Sequence, residues 1–157
     1  MMLGELWLSK ANERALLAHG AREADDEVFP TMRWAYPGVF IAMAAEGAAF
    51  GASLGPVTFA GVSFLAVSKA LKFWAIASLG TRWTYRVLVL PAAPLVTTGP
   101  YRFVRHPNYV AVVGELIAMA LMTRARVTGP LGVAFFGWLL LRRITAEERA
   151  LGFGKGS

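Results

Sequence analysis

The chain has 157 residues, 56% of them apolar, only 17% charged, with a formal net charge of +6 and no cysteine. Mean hydropathy is +0.49, and the chain is more apolar and less charged than ordinary soluble domains, at roughly 45–50% and about 25%. These figures exclude a disordered chain, a soluble acidic enzyme and a disulfide-stapled secreted domain.

Residues 1–33 begin with a helix-like pattern led by Leu3, Leu6 and Trp7, with Glu5, Lys10, Glu13 and Arg14 on other faces and Gly20 as a stop. This predicts an amphipathic helix lying at a membrane interface. Asp25-Asp26-Glu27 reads as a solvated acidic turn.

Four apolar runs follow. Residues 34–54 hold one charge, Glu46, and residues 57–79 hold Lys69 and Lys72, with Gly55-Pro56 as the turn between them. A bilayer core takes about 20 apolar residues as helix, so residues 34–79 predict a spanning hairpin. Residues 108–122, containing Glu115, and the uncharged residues 127–141 predict a second, shorter hairpin across the turn at residues 123–126. Each of these runs makes about 22 Å of helix, short of a hydrocarbon core. The expected fold class is all-α: an integral membrane bundle of about four hydrophobic helices in two hairpins, with an N-terminal amphipathic helix. It forms one domain over residues 1–157, divided into the interfacial segment 1–33, the first hairpin 34–79, a loop 80–107 and the second hairpin with its C-terminal motif, 108–151.

The basic residues mark orientation. Residues 80–107 carry Arg82, Arg86, Arg102 and Arg105 without an acidic residue, and both ends of the chain carry Lys and Arg as well: Lys10, Arg14, Arg22 and Arg33 at one, Arg142, Arg143, Arg149 and Lys155 at the other. Four crossings place all three regions on the cytoplasmic side, with Arg124 and Arg126 in the second turn as exceptions. The positive charge therefore reads as topology and contact with anionic lipid. No nucleic-acid partner is expected.

Counted from the turn, Glu46 lies about 14 Å deep and Lys69 about 20 Å, an offset a Lys side chain could cover, so a buried ion pair and snorkelling of Lys69 fit equally well; Lys72 is expected to snorkel toward the cytoplasmic face. Glu115 shares a stripe with Asn108, Val112 and Met119 and is expected to face another helix through a structural hydrogen bond. Two isolated histidines and no cysteine predict no metal site.

Most of the polar specificity lies in Gly99-Pro100-Tyr101-Arg102-Phe103-Val104-Arg105-His106-Pro107-Asn108-Tyr109. Pro107 suits the first turn of the third hydrophobic helix, so His106 stands at its start. The third and fourth runs are equal in length. Arg142, Arg143, Glu147 and Glu148 should therefore return beside Arg105, His106 and Tyr109. The expected result is a pocket of cations, carboxylates, an imidazole and a phenol at the cytoplasmic interface, roofed by the long loop. On spacing alone, a set of interfacial anchors fits these residues equally well.

The pattern Arg105-His106-Pro107-x-Tyr109, a hydrophobic hairpin, then Glu147-Glu148-x-x-Leu151 resembles the isoprenylcysteine carboxyl methyltransferase family. It is more distantly similar to the phospholipid methyltransferases. Glu5-Leu6-Trp7-Leu8-Ser9-Lys10-Ala11-Asn12-Glu13 and Leu79-Gly80-x-Arg82-Trp83 also resemble bacterial members. The resemblance implies a bacterial inner-membrane enzyme with both termini cytoplasmic, using S-adenosylmethionine. It implies that His106, Pro107, Asn108, Tyr109, Glu147 and Glu148 bind the cofactor, while Arg105 and Arg143 orient an anionic oxygen of a lipophilic acceptor. The expected acceptor is a polyketide-type phenol or pyrone hydroxyl first, and an isoprenylcysteine carboxylate second. Phospholipid amines come third, since they give Arg105 no anion to hold.

Two departures stand out. Ala111 occupies a place where members commonly have Gly. Many bacterial relatives also begin with another hydrophobic helix ahead of the Glu5-to-Asn12 segment, where this sequence has only Met1 to Gly4, which predicts a shortened or late-starting version. The Gly-rich residues 152–157 are expected to carry no chemistry. From other classes, a small proton-coupled exporter with Glu46 as proton carrier fits four short helices, and a non-catalytic scaffold would bind no ligand.

Overall fold

The computed structural model describes residues 2–24, 27–51, 54–90 and 93–150. The acidic turn at Asp25-Asp26, Leu151 and the Gly-rich tail lie outside the described residues. The architecture is helical: α1 (Met2–Ala18), α2 (Phe29–Ala49), α3 (Pro56–Leu79), α4 (Pro107–Thr123) and α5 (Thr128–Ala150). Two-residue strands β1 (Arg22–Glu23) and β2 (Leu88–Val89) pair antiparallel, Arg22 opposite Val89 and Glu23 opposite Leu88. They tie the segment after α1 to the loop after α3.

Prolines open three of the helices. Pro30 lies in the first turn of α2, Pro56 starts α3 and Pro107 starts α4, positions where a missing N–H costs no hydrogen bond. Because Pro30 initiates early, α2 begins and ends five residues ahead of the apolar run at 34–54. α3 stops at Gly80, whose φ of +55° favours glycine. α5 does not end with its apolar run at residue 141. The stretch 142–150 contains no Gly or Pro and is rich in helix formers, so the helix carries Arg142, Arg143, Glu147 and Glu148 on its last turns.

α4 is the centre of the bundle. α3 packs along it on one side, while α2 and α5 pack on it and on each other. The close approach of α3 to α4 rests on glycine: a Cβ at Gly61 would stand 2.8 Å from Met122 Cγ, and one at Gly114 would strike the Ser68 hydroxyl. Met32, Met43, Leu116, Phe136, Leu139 and Leu140 fill the space between α2, α4 and α5.

This order corrects three expectations. The runs at 34–54 and 57–79 are consecutive but do not face each other as a closed pair, because α4 lies between them at the level of Glu115. Glu46 therefore cannot meet Lys69. Its carboxylate accepts the backbone N–H groups of Arg126, Val127 and Thr128 at 2.8, 3.0 and 2.7 Å, and so caps α5. Lys69 pairs instead with Glu115 at 2.8 Å. Lys72 does not snorkel: it is 6% exposed, 3.0 Å from Glu5 and 3.7 Å from Glu115. Glu115 does face other helices, receiving the Tyr36 hydroxyl from α2 and both lysines from α3.

α1 differs from the amphipathic pattern. Glu5, Ser9 and Asn12 are buried, whereas Leu6, Trp7, Leu8 and Leu17 are exposed. The polar residues turn inward because backbone groups after α3 need partners there. Among the described residues, one helix is long and apolar enough to cross a membrane by length and composition, Pro56–Arg82; Pro107–Thr123 is apolar but shorter.

Candidate functional site

The start of α4 and the end of α5 meet under the loop that follows α3. His106 is the residue that caps α4, with φ −126° and ψ 62°, and Pro107 is buried in the first turn. Tyr109 lies one turn in, and its ring stacks on His106 with centroids 5.5 Å apart at 15°. From α5, Glu147 accepts a hydrogen bond from the Tyr109 hydroxyl at 2.9 Å and lies 3.5 Å from His106 Nδ1. Glu148, the next residue, stands 3.6 Å from His106 Nε2 and 3.7 Å from Arg105. The two carboxylates therefore bracket one imidazole.

The electrostatics follow from that bracket. Hydrogen bonding to Glu147 raises the His106 pKa above its usual value, against burial, and Glu148 adds to the effect. For Glu147, burial alone would push the carboxyl up, but His106, Tyr109 and Arg143 together hold it below the ordinary range. Tyr101, from the turn before α4, is raised by burial and by Glu147. The site thus keeps an ionised carboxylate in a largely enclosed position beside an imidazole that favours its proton.

A cavity of about 450 Å³ opens against these groups, within the range of small-molecule and cofactor sites. Arg105, His106, Asn108, Tyr109, Arg143, Glu147 and Glu148 line it, while Pro107 underlies it by starting the helix. The helix arithmetic thus places seven of the eight expected side chains on one cavity, although 38 positions separate Tyr109 from Glu147. Among their atoms, His106 Nε2, with Glu148 no nearer than 3.6 Å, and Asn108 Oδ1 are buried without a hydrogen bond to the described residues. Buried polar atoms of this kind call for a partner that a bound molecule can supply.

Arg143 is placed differently from Arg105. It is 7% exposed, donates to the backbone carbonyl of Tyr85, and stacks over Phe29 at 5.2 Å and Tyr109 at 5.9 Å. Arg105 has a side chain that is 76% exposed and stands 3.7 Å from Glu148 at the mouth of the cavity. Arg142 does not arrive at the site. One residue is about 100° of helix, so it lies around α5 from Arg143, over Trp138 at 5.3 Å, and borders a separate groove with Arg22 and Arg149.

The long loop roofs the cavity as expected, but which of its residues form the wall was not legible in the sequence. Trp83, Thr84, Leu88, Val96 and Tyr101 line the cavity, and Arg82 pins the loop over it through the Pro94 carbonyl at 2.6 Å. The signal was present in the aromatic and arginine content of residues 82–101, but irregular backbone has no periodicity from which facing can be read.

The Isoprenylcysteine carboxyl methyltransferase (ICMT) family matches over residues 61–152, from α3 through both halves of the site. Uncharacterized protein YpbQ of Bacillus subtilis (strain 168) is 30% identical over 147 residues, covering 94% of this chain and 88% of its own. An uncharacterized protein of Haemophilus influenzae is 28% identical over 147 residues, covering 93% and 86% respectively. No solved structure matches significantly. The chain belongs to the isoprenylcysteine carboxyl methyltransferase family, a membrane-associated family of methyltransferases.

Proposed function

We propose that this chain is an integral membrane O-methyltransferase that binds S-adenosylmethionine in the cavity between α4 and α5 and methylates an oxygen of a lipophilic acceptor. The observation that carries the reading is a cavity flanked by two glutamates, on which the buried His106 Nε2 and Asn108 Oδ1 make no hydrogen bond to the described residues. The residues suit such a cofactor: carboxylates for its hydroxyl and ammonium groups, an imidazole that favours its proton for its carboxylate, and the aromatic faces of Tyr101 and Tyr109.

The bound cofactor would supply an electrophilic methyl group on a sulfonium centre, so the protein's task is placement more than acid–base chemistry. Glu147, held by Tyr109 and His106, and Glu148 would accept hydrogen bonds from it; His106 and Asn108 would donate and accept at their open atoms. Arg105 would hold the acceptor's anionic oxygen through its guanidinium. The exposed Arg105 suits that role better than Arg143, which is buried and donates to the Tyr85 carbonyl. A phenol or pyrone hydroxyl and an isoprenylcysteine carboxylate both offer such an oxygen.

The outer faces suit a bilayer. Ile41, Phe59, Val67, Leu131 and Leu141 are each more than 60% exposed, an arrangement expected of helices whose surroundings are lipid. With the basic loop and both termini on the cytoplasmic side, the cavity would open at the interface of a bacterial inner membrane. The exporter reading loses support, because the Glu46 carboxylate is engaged by three backbone amides at the start of α5.

Calorimetry of the detergent-purified chain with S-adenosylhomocysteine tests the reading. Micromolar binding that is lost in His106→Ala and weakened in Glu148→Gln is expected. No binding by the folded wild-type chain would overturn it.

A further inference from the structure

The buried side chains of α1, Glu5, Ser9 and Asn12, are 7%, 0% and 6% exposed. They fall at i, i+4 and i+7, on one stripe of the helix. Burying three polar side chains is costly unless each is paired. All three are paired, and their partners converge on residues 80–85, a wall of the cavity. Asn12 Nδ2 donates to the carbonyls of Gly80 and Trp83 at 3.2 and 2.8 Å. Ser9 Oγ accepts the backbone N–H of Tyr85 at 2.8 Å and donates to Glu13 at 2.7 Å. Glu5 accepts the Tyr85 hydroxyl at 2.9 Å and pairs with Lys72 at 3.0 Å.

Tyr85 is therefore held at both its amide and its phenol. Its carbonyl receives the Arg143 guanidinium, Arg143 lies over the Tyr109 ring, and the Tyr109 hydroxyl holds Glu147. A helix that only had to dock could have turned Leu6, Trp7 and Leu8 inward. α1 leaves those outside and spends its buried face on the backbone of one segment.

We infer that Glu5, Ser9 and Asn12 are positioning residues: α1 clamps residues 80–85 so that the Tyr85 carbonyl fixes Arg143, and through Arg143 and Tyr109 sets where Glu147 stands against His106. The consequence for cofactor binding rests on the methyltransferase reading. The clamp itself is a property of the chain without ligand, and its test needs none.

His106 and His19 are the only histidines, and His19 is exposed, so imidazole NMR of the full chain in detergent reports His106 with an internal reference. The groups facing His106 are Glu147, Glu148 and Arg143 from α5, Arg105 and Tyr109 from its own segment, and Tyr101 from the preceding turn. Loosening the clamp should let Glu147 draw away and lower the His106 midpoint. In Ser9→Ala and in Asn12→Ala a fall of about half a pH unit is expected, roughly a threefold change in protonation constant, with His19 unchanged. Arg143→Lys should produce a similar fall. The double variant Ser9→Ala/Arg143→Lys should fall no further than Arg143→Lys alone, since the two act in series. If Ser9→Ala does not fold, Tyr85→Phe, which deletes only the bond to Glu5, must show a smaller fall in the same direction. A wild-type His106 titration in the folded clamp variants, or additive shifts in the double variant, would overturn the inference. Failure of the wild-type chain to bind S-adenosylhomocysteine would instead remove the methyltransferase reading and leave this result standing.

Discussion

Glu115→Ala is the most informative single change in the bundle. The Glu115 side chain is 1% exposed and faces Lys69 at 2.8 Å, Lys72 at 3.7 Å and the Tyr36 hydroxyl. Removing one partner of a buried ion pair costs about 3–5 kcal/mol, because the remaining charge is stranded. Two features place this case at the lower end. Lys72 keeps Glu5 at 3.0 Å, and the Lys69 side chain is already 28% exposed and can reach outward. The expected cost is therefore about 3 kcal/mol, and at about 2–4 °C per kcal/mol for a chain of this size the thermal midpoint should fall by about 6–12 °C. Glu115→Leu combined with Lys69→Met should recover most of that loss, since apolar replacement of a buried pair is often neutral. Thermal unfolding in detergent, followed by circular dichroism, measures both. A fall under about 2 °C in Glu115→Ala, or a double variant less stable than the single, would refute the claim that Glu115 is the charge centre of the bundle.

Glu147 is held below its ordinary value, so its contribution to stability is present above the unfolded pKa near 4.5 and is lost as pH falls through the folded value. His106 is raised, so its contribution is complete below the unfolded pKa near 6.5 and fades as pH rises through the folded value. The pair should be strongest between these limits, and Glu147→Gln should flatten the pH dependence of the thermal midpoint across pH 4–8; an unchanged profile would count against the pairing. Gly114→Ala drives a methyl group into the Ser68 hydroxyl and should cost about 1–3 kcal/mol, with partial recovery in Gly114→Ala/Ser68→Ala, both read by thermal unfolding. Glu46→Ala removes the cap of α5 and should lower the thermal midpoint, while S-adenosylhomocysteine binding at the opposite end of α5, measured by calorimetry, stays at wild-type strength.

The halves of the site were legible because they lie on helices. Pro107 fixed where α4 starts, and two apolar runs of 15 residues forced the chain to return to the same level. That is enough to bring Glu147 and Glu148 to His106 and Tyr109 without knowing how the helices pack. Which helices pack side by side was not legible. Lengths and turns leave the order around the bundle open, and the assumption that consecutive runs are neighbours joined Glu46 to Lys69. Placing α4 between α2 and α3 depends on Gly61 and Gly114, whose missing side chains allow the approach, and a glycine in an apolar run carries no hint of its partner.

Polarity misled most at α1. A helix with exposed Trp7 and Leu8 and buried Glu5, Ser9 and Asn12 contradicts the apolar-in rule for water-soluble helices. That rule assumes the outside is water and the inside needs only apolar contact. The second assumption fails at this position, and under the membrane reading the first does as well. The inside contains irregular backbone whose N–H and C=O groups, at Gly80, Trp83 and Tyr85, must find partners. If the outside is lipid, as the proposed membrane setting has it, leaving Trp7 and Leu8 there costs nothing. The same inversion explains why the few charged residues of an apolar chain are so informative. In lipid a polar side chain settles where another polar group awaits it. Pairing each such residue with its partner recovers both the ionic centre at Glu115 and the path from Glu5 through Tyr85 and Arg143 to the carboxylate at Glu147.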